Sequence, residues 1–432
     1  TIKVELIADI ALNENLRVHS DINHCYAQLE EMRDPSLRNV PMAVGGSEEK
    51  RHGIILAKND LAKTYGIKTG ESLRQAKAKC PQLLIIHPDY DSYMYYTEKV
   101  KDIYRQYTDQ VESFGLDEAW MDLTHSQLLF GDGIELAQKI QDEVYQKLGL
   151  TVSMGVSFNK VFAKLASDLF KHKGFALITE DNFQQMVWPL PVEELLMVGS
   201  RTKRKLNEMG IYTIGSLAAA HPELLSKRFG VMGLLLKRYA AGEDDTPVRH
   251  KDYQRPVKSV GCSKTVVKDI ESIGQLQEVF RVLAETAAVR LKADHYKGSV
   301  VSIWLRDTDL KGKGLQMKLS QSTDLARDLL NAAMQLVYKL NLEEIKLRSV
   351  GIHVSGLVHK ADVDQLDLFT PPDDRIRQRA LEKTMYEIRK QYGYDSCRFA
   401  SSKVDAEITD FDPLGLLHQV HPVGVLDGPV KV

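Results

Sequence analysis

The sequence has few cysteines, no long apolar run and no excess of charge of either sign. Only four cysteines occur in 432 residues, Cys25, Cys80, Cys262 and Cys397, and they are scattered. None forms a CxxC pair, so neither a zinc site nor a disulfide framework is expected. A reducing compartment, the cytoplasm, fits this usage. No stretch of about 18 apolar residues is present, so no membrane-spanning helix is expected. No secretory leader pattern opens the chain. The formal charge of −2 means that the chain as a whole is not a basic nucleic-acid binder. Binding of that kind needs local segregation of charge.

What is there is an ordinary globular composition, 43% hydrophobic and 27% charged, enough for a normal core. At roughly 100–200 residues per domain, two to four domains are expected. Basic segments supply the local charge. Residues 157–174, SFNKVFAKLASDLFKHKG, carry Lys160, Lys164, Lys171 and Lys173, residues 201–205 read RTKRK, and residues 311–318 read KGKGLQMK. Each is either a solvated face or a nucleic-acid contact.

Periodicity gives a coarse element order. Leu16–Ile22 reads as a strand, followed by a helix over 23–32 that stops near Asp34-Pro35. VPMAVGG (40–46) is a strand, and GIILAKND (53–60) a strand running into a helix that Gly66 ends. Residues 72–79 and 94–107 have helical character. Val111–Phe114 and Glu118–Leu123 read as strands joined around Gly115. Residues 133–148 place Ile134, Ala137, Ile140, Val144 and Leu148 on one helical face. A strand at 150–157 precedes the lysine-bearing helix. This pattern predicts an α+β fold with a split βαβ core. MVGSRTKRKLNEMGIYTIGSLA (197–218) has the form of a helix–hairpin–helix, with Gly199 allowing a tight turn whose N–H groups face a phosphate. The alternative is an ordinary pair of helices. Residues 244–257 read as a linker. Strands near 258–266, 299–306, 314–319 and 347–355 with helices near 272–293 and 322–340 form a second α+β unit, and a helix near 375–391 follows.

The stretch FGLDEAW (114–120) sets Asp117 beside Glu118 among apolar neighbours. Adjacent strand residues point to opposite faces, and buried charge is costly unless paired or metal-bound. Either the pair sits exposed in a turn, or the backbone bends so that both reach one cation. A third carboxylate, Asp21 in HSDINHCY (19–26), ends an apolar strand just before a helix. The three can converge at neighbouring strand ends, where Mg²⁺ finds the oxygen ligands it prefers. Asp at such a place is also a common N-cap.

The succession D-x-N-x-x-Y (21–26), LDEAW (116–120), SFNKVFAK (157–164), helix–hairpin–helix and separate α+β unit resembles the Y-family DNA polymerases, in their DNA polymerase IV (DinB) branch of low-GC Gram-positive bacteria. It runs from about Arg17 to about Gly356. The resemblance implies a right-handed α+β polymerase: a ferredoxin-like palm (16–45 and 93–188), small fingers (46–92), a helix–hairpin–helix thumb (189–245), a linker (246–256), a little finger (257–358) and a tail (359–432). It implies a monomeric, low-fidelity translesion enzyme using two Mg²⁺ ions, primer–template DNA and dNTP. Asp21, Asp117 and Glu118 fall on the family's metal carboxylates and Ile22 on its carbonyl ligand. Tyr26 falls on the steric gate that excludes a 2′-hydroxyl, and Lys63 and Lys171 on triphosphate contacts. Gly199, Lys203, Lys258 and Lys264 fall on DNA-facing positions, with Arg255, Lys313 and Lys318 beside them. QLDLF (365–369) resembles the sliding-clamp peptide, with Gln365, Leu366, Leu368 and Phe369 as anchors in a polar segment.

Two departures stand out. Asn23 replaces the family's second Asp and reads as a supporting residue. The fingers offer Ala57, Asp60 and Lys63 where the family has Thr, Tyr and Arg. Ionised Asp60 cannot donate to a phosphate and Lys lacks the fork of Arg, so Lys58 is expected to substitute. The alternative to a working polymerase is a catalytically weak DNA- and clamp-binding scaffold.

Overall fold

The computed structural model describes residues 15–46, 53–169, 174–254, 256–342, 344–359, 372–403 and 406–409. The first sheet elements are β1 (Arg17–Ile22), β2 (Met42–Gly45), β3 (Ile55–Lys58), β4 (Leu84–Ile86), β5 (Val111–Phe114), β6 (Glu118–Asp122), β7 (Val152–Ser157) and β8 (Phe175–Ile178). Five of them form one sheet in the order β5-β6-β1-β7-β8, with β1 antiparallel to both neighbours. The order is that of a βαββαβ unit with β8 added in parallel to β7. β2, β3 and β4 form a separate three-stranded sheet.

β1 lies at the centre, and residues 18–22 are all buried. Its alternation sends Val18 and Ile22 to the core shared with helices Tyr90–Tyr104 and Gly133–Leu148. His19 and Asp21 therefore point to the other face, which helix Lys160–Leu169 covers. That helix lies directly on β7. A Cβ at Gly155 would stand 2.0 Å from the carbonyl oxygen of Ala163 and 2.4 Å from the nitrogen of Ser167. Only glycine permits so close an approach. Trp120 fills the same side, donating its ring N–H to the Lys160 carbonyl at 2.9 Å.

Between these sheets and the second α+β unit, helices Ser200–Asn207, Ile214–Ala219, Pro222–Phe229 and Val231–Ala240 pack into the core around Trp120 and Phe162. The second unit comprises β9 (Ser259–Ile270), β10 (Tyr296–Asp307), β11 (Gly312–Thr323) and β12 (Leu347–His359), paired antiparallel in the order β11-β10-β12-β9. Helices Ile273–Ala293 and Ala326–Leu340 cover one face through Val301, Ile303, Leu305, Val350, Ile352 and Val354. The other face is open and built largely of small polar residues. Helix Pro372–Tyr392 docks on this unit, where Arg389 and Glu285 form a buried ion pair at 3.0 Å.

The element order expected from sequence holds, with shifted ends. The helix expected from Met94 begins at Tyr90, because the Asp89 side chain accepts from the Ser92 N–H and caps it. Gly199 is extended (φ −77°, ψ 174°) and serves as the N-cap of Ser200–Asn207. Left-handed backbone occurs instead at Met197 (φ 72°), two residues earlier, and at Gly210 (φ 77°) in the turn between that helix and the next. Among the described residues no helix is long and apolar enough to cross a membrane. Lys171, Arg255 and the peptide residues Gln365, Leu366, Leu368 and Phe369 lie outside the described residues.

Candidate active site

Asp117 and Glu118 reach one site because the backbone turns beside them. The chain turns over 115–117, with Gly115 left-handed (φ 77°), and β6 begins at Glu118. Asp117 thus belongs to the turn and Glu118 to the strand, so strict alternation does not separate them. Glu118 stands opposite Asp21 in the β1–β6 register, and cross-strand partners share a face. The Asp117 carbonyl accepts from the Ile22 N–H at 3.2 Å. These pairings bring Asp21, Ile22, Asp117 and Glu118 to one cavity of about 610 Å³.

Lys58 from β3 and Lys63 from helix Asp60–Thr64 line the same cavity. Lys58 donates to Thr69 at 3.3 Å. Burial lowers its ammonium pKa, and the neighbouring Lys63 adds to that effect. Asp60 lies on the same wall. The strand-to-helix turn that presents these groups hangs on buried Asn59. Its amide donates to the carbonyls of Leu37 (3.1 Å) and Val40 (2.9 Å) and accepts from the N–H groups of Met42 (3.2 Å) and Ala62 (2.9 Å).

Tyr26 lines the cavity from helix Cys25–Arg33. Its ring stacks on Tyr93 at 4.5 Å with 12° between planes and meets Tyr90 edge-on at 6.0 Å. Burial raises its phenol pKa, with the Asp117 charge adding to the effect. Cys25 behaves likewise: burial pushes its thiol well up, and Asp117 and Asp21 push further. Asn23 is tied down, accepting from the Ser153 hydroxyl at 2.6 Å and donating to Thr151 at 3.2 Å. It supports the strand end, as the sequence suggests.

Glu118 has partners that the sequence reading did not assign. His19 Nε2 lies 3.1 Å from its Oε2, and Lys164 Nζ pairs with the same oxygen. Burial alone would raise the Glu118 carboxyl, but His19 and Lys164 outweigh it and hold the group at about 2. Burial in turn lowers the His19 imidazole. His19 was legible, since it sits two residues before Asp21 and a strand puts i and i+2 on one face. Lys164 was visible only as one of several lysines in a basic segment. Among the described residues no group of three His, Cys, Asp or Glu side chains is arranged to hold a metal ion. The expected convergence is therefore one of backbone positions, with the Glu118 carboxylate drawn to Lys164. The carboxylates of Asp21, Asp117 and Glu118 are hard oxygen donors of the kind Mg²⁺ prefers, and all three residues line the cavity.

The other expected contacts scatter. Lys203 pairs with Glu193. Lys258 is exposed just ahead of β9, and Lys318 is exposed opposite Val300 on the open face of the four-stranded sheet. Lys313 pairs with Leu305 and Lys264 with Val350. Both lysines thus share register with core residues, on the helix-covered side.

Comparison with known proteins agrees with this architecture. The impB/mucB/samB family matches residues 20–168, and its C-terminal domain matches residues 257–368. DNA polymerase IV of Acetivibrio thermocellus is 40% identical over 381 residues, 88% of this chain and 96% of that protein. DNA polymerase IV 1 of Bacillus subtilis is 35% identical over 378 residues, 87% of this chain and 90% of that one. Among solved structures, a Y-family DNA polymerase chimera superposes with a TM-score of 0.70 at 22% identity, covering 80% of this chain and 99% of the chimera. DinB from Sulfolobus solfataricus gives 0.51 at 23% identity, covering 79% and 98%. At these identities the structures share the fold.

Proposed function

The chain belongs to the DNA polymerase IV branch of the impB/mucB/samB family and is on that ground a DNA-directed DNA polymerase, and we propose that it extends primers on damaged template with low fidelity through a site built on Asp21, Asp117 and Glu118. The observation that carries this reading is the joint pairing of Asp21 with Glu118 and of Ile22 with Asp117, which brings all four residues to one cavity that Lys58 and Lys63 also line.

The chemistry is attack of a primer 3′-hydroxyl on the α-phosphorus of a dNTP, with pyrophosphate leaving. Asp21, Asp117, Glu118 and the Ile22 carbonyl would hold two Mg²⁺ ions, which when bound neutralise charge on the reacting phosphate. Lys58 and Lys63 bind the triphosphate as point charges. Tyr26, fixed by its stack on Tyr93, forms the floor under the sugar and leaves no room for a 2′-hydroxyl. Lys171, outside the described residues, remains a proposed phosphate contact. The open face of the four-stranded sheet takes duplex phosphates, and QLDLF is the proposed clamp anchor. Preorganised positions and charges make up most of such catalysis.

Primer extension with purified chain, Mg²⁺ and dNTPs tests this. Asp117→Ala is expected to lower the rate by at least about 10²-fold. Lys58→Ala is expected to raise KM for dNTP with kcat less affected. A wild-type chain that binds primer–template but never extends it would leave only the scaffold role.

A further inference from the structure

Lys164 stands in an unusual place. Its ammonium pairs with Glu118 from above the sheet, with its side chain only 12% exposed and the Glu118 side chain 22% exposed. It lies 5.3 Å from the centroid of the Phe114 ring. The second acidic group within reach is Asp168, one helical turn on, with Oδ2 3.5 Å from Nζ. The lysine therefore stands between two carboxylates, one belonging to the candidate metal set and one not. The surroundings fix its base. The Ser167 hydroxyl lies 2.7 Å from the Lys164 carbonyl and 2.8 Å from His19 Nδ1, and His19 Nε2 faces Glu118. Gly155 brings this whole helix down onto the sheet.

A divalent cation and an ammonium cannot both sit against one carboxylate oxygen without strong repulsion in a half-buried site. Resting on the proposed polymerase site, we propose that Lys164 is a resident counter-ion for Glu118 and that divalent-cation binding is an exchange, in which Lys164 leaves Glu118 for Asp168. Lys164 is thus a positioning residue. It holds the Glu118 carboxylate in place before the metal arrives, and Asp168 takes up its charge afterwards. Loss of the lysine removes the competitor. Loss of Asp168 removes the place to which the competitor retreats. The two losses shift metal affinity in opposite directions, which a purely structural role for Lys164 does not predict.

The test is titration of the full chain with Mn²⁺ alone, without DNA or nucleotide, following free Mn²⁺ by electron paramagnetic resonance. Lys164→Met is expected to bind Mn²⁺ roughly three- to tenfold more tightly than wild type, in line with the worth of a partly buried ion pair. Asp168→Asn is expected to bind more weakly, and Lys164→Arg, which retains a cation, to stay near wild type. In metal-free buffer Lys164→Met is expected to melt at a lower temperature, and saturating Mn²⁺ to close that gap. Equal Mn²⁺ affinity in wild type, Lys164→Met and Asp168→Asn overturns the exchange while leaving the site intact, provided Asp117→Asn loses binding. If Asp117→Asn binds as wild type does, the carboxylates are not a metal site, and the polymerase mechanism and the exchange both fall.

Discussion

A single carboxylate shows how far local charge reaches at the scale of one residue. Glu118 titrates near 2 in the folded chain, against 4.5 ordinarily, because His19 and Lys164 overcome the cost of burying it. A depressed carboxyl contributes stability that is present above its unfolded pKa and is lost as pH falls through its folded one. Without added metal, that contribution is expected at neutral pH and to disappear between about pH 4.5 and 2. Glu118→Gln should therefore lower the unfolding free energy read from urea curves by about 1–3 kcal/mol at pH 7 and by much less at pH 2. Parallel curves for the two proteins over this window would refute the assignment. The carboxylate itself was legible from sequence, because an acid pair in an apolar run has few uses. Its lysine partner was not, since nothing in SFNKVFAK says which of its two lysines reaches Glu118. Lys160, four residues earlier, went to Glu112 at 2.6 Å instead.

Close packing at the element scale sets that choice. Helix Lys160–Leu169 reaches Glu118 only because Gly155 lets its backbone touch β7. Gly155→Ala places a methyl where the Ala163 carbonyl and the Ser167 nitrogen already are, two backbone groups that cannot rotate away. The expected cost is about 3 kcal/mol. It should appear as a lower thermal midpoint, with weakened pairing at Glu118 read as a shallower acid transition. A midpoint equal to wild type would show that the helix stands off further than described. An isolated glycine in a strand is a readable hint of close approach, but not of what approaches. Periodicity read Gly133–Leu148 to the residue. It missed the start of Tyr90–Tyr104, because a capping Asp after a proline leaves no trace in apolar spacing. Met197 was beyond reach for a related reason: its left-handed backbone contradicts local preference and is imposed by the turn around it.

Over the whole molecule, a charge of −2 hides a division of labour between faces. The split βαβ order and the second α+β unit were readable from the alternation of strand and helix. The placement of β1 between β6 and β7 was not, since it rests on contacts more than 90 residues apart in sequence. The same limit applies to faces, where a basic strand residue is visible in the sequence and its direction is not. β10 settles it for the four-stranded sheet. Val301, Ile303 and Leu305 point to the helices, so Val300 and its partner Lys318 point away. Lys264, opposite buried Val350, belongs to the helix side. If duplex DNA lies on the open face, Lys318 neutralises a phosphate there and Lys264 does not. The slope of log K against log salt should then become shallower by roughly 0.9 in Lys318→Ala, one counter-ion's worth, and stay as wild type in Lys264→Ala. Fluorescence anisotropy of a labelled primer–template across salt concentrations measures both. Equal shifts would mean that duplex DNA contacts the sheet's edge or its helical side, and the open face would need another partner.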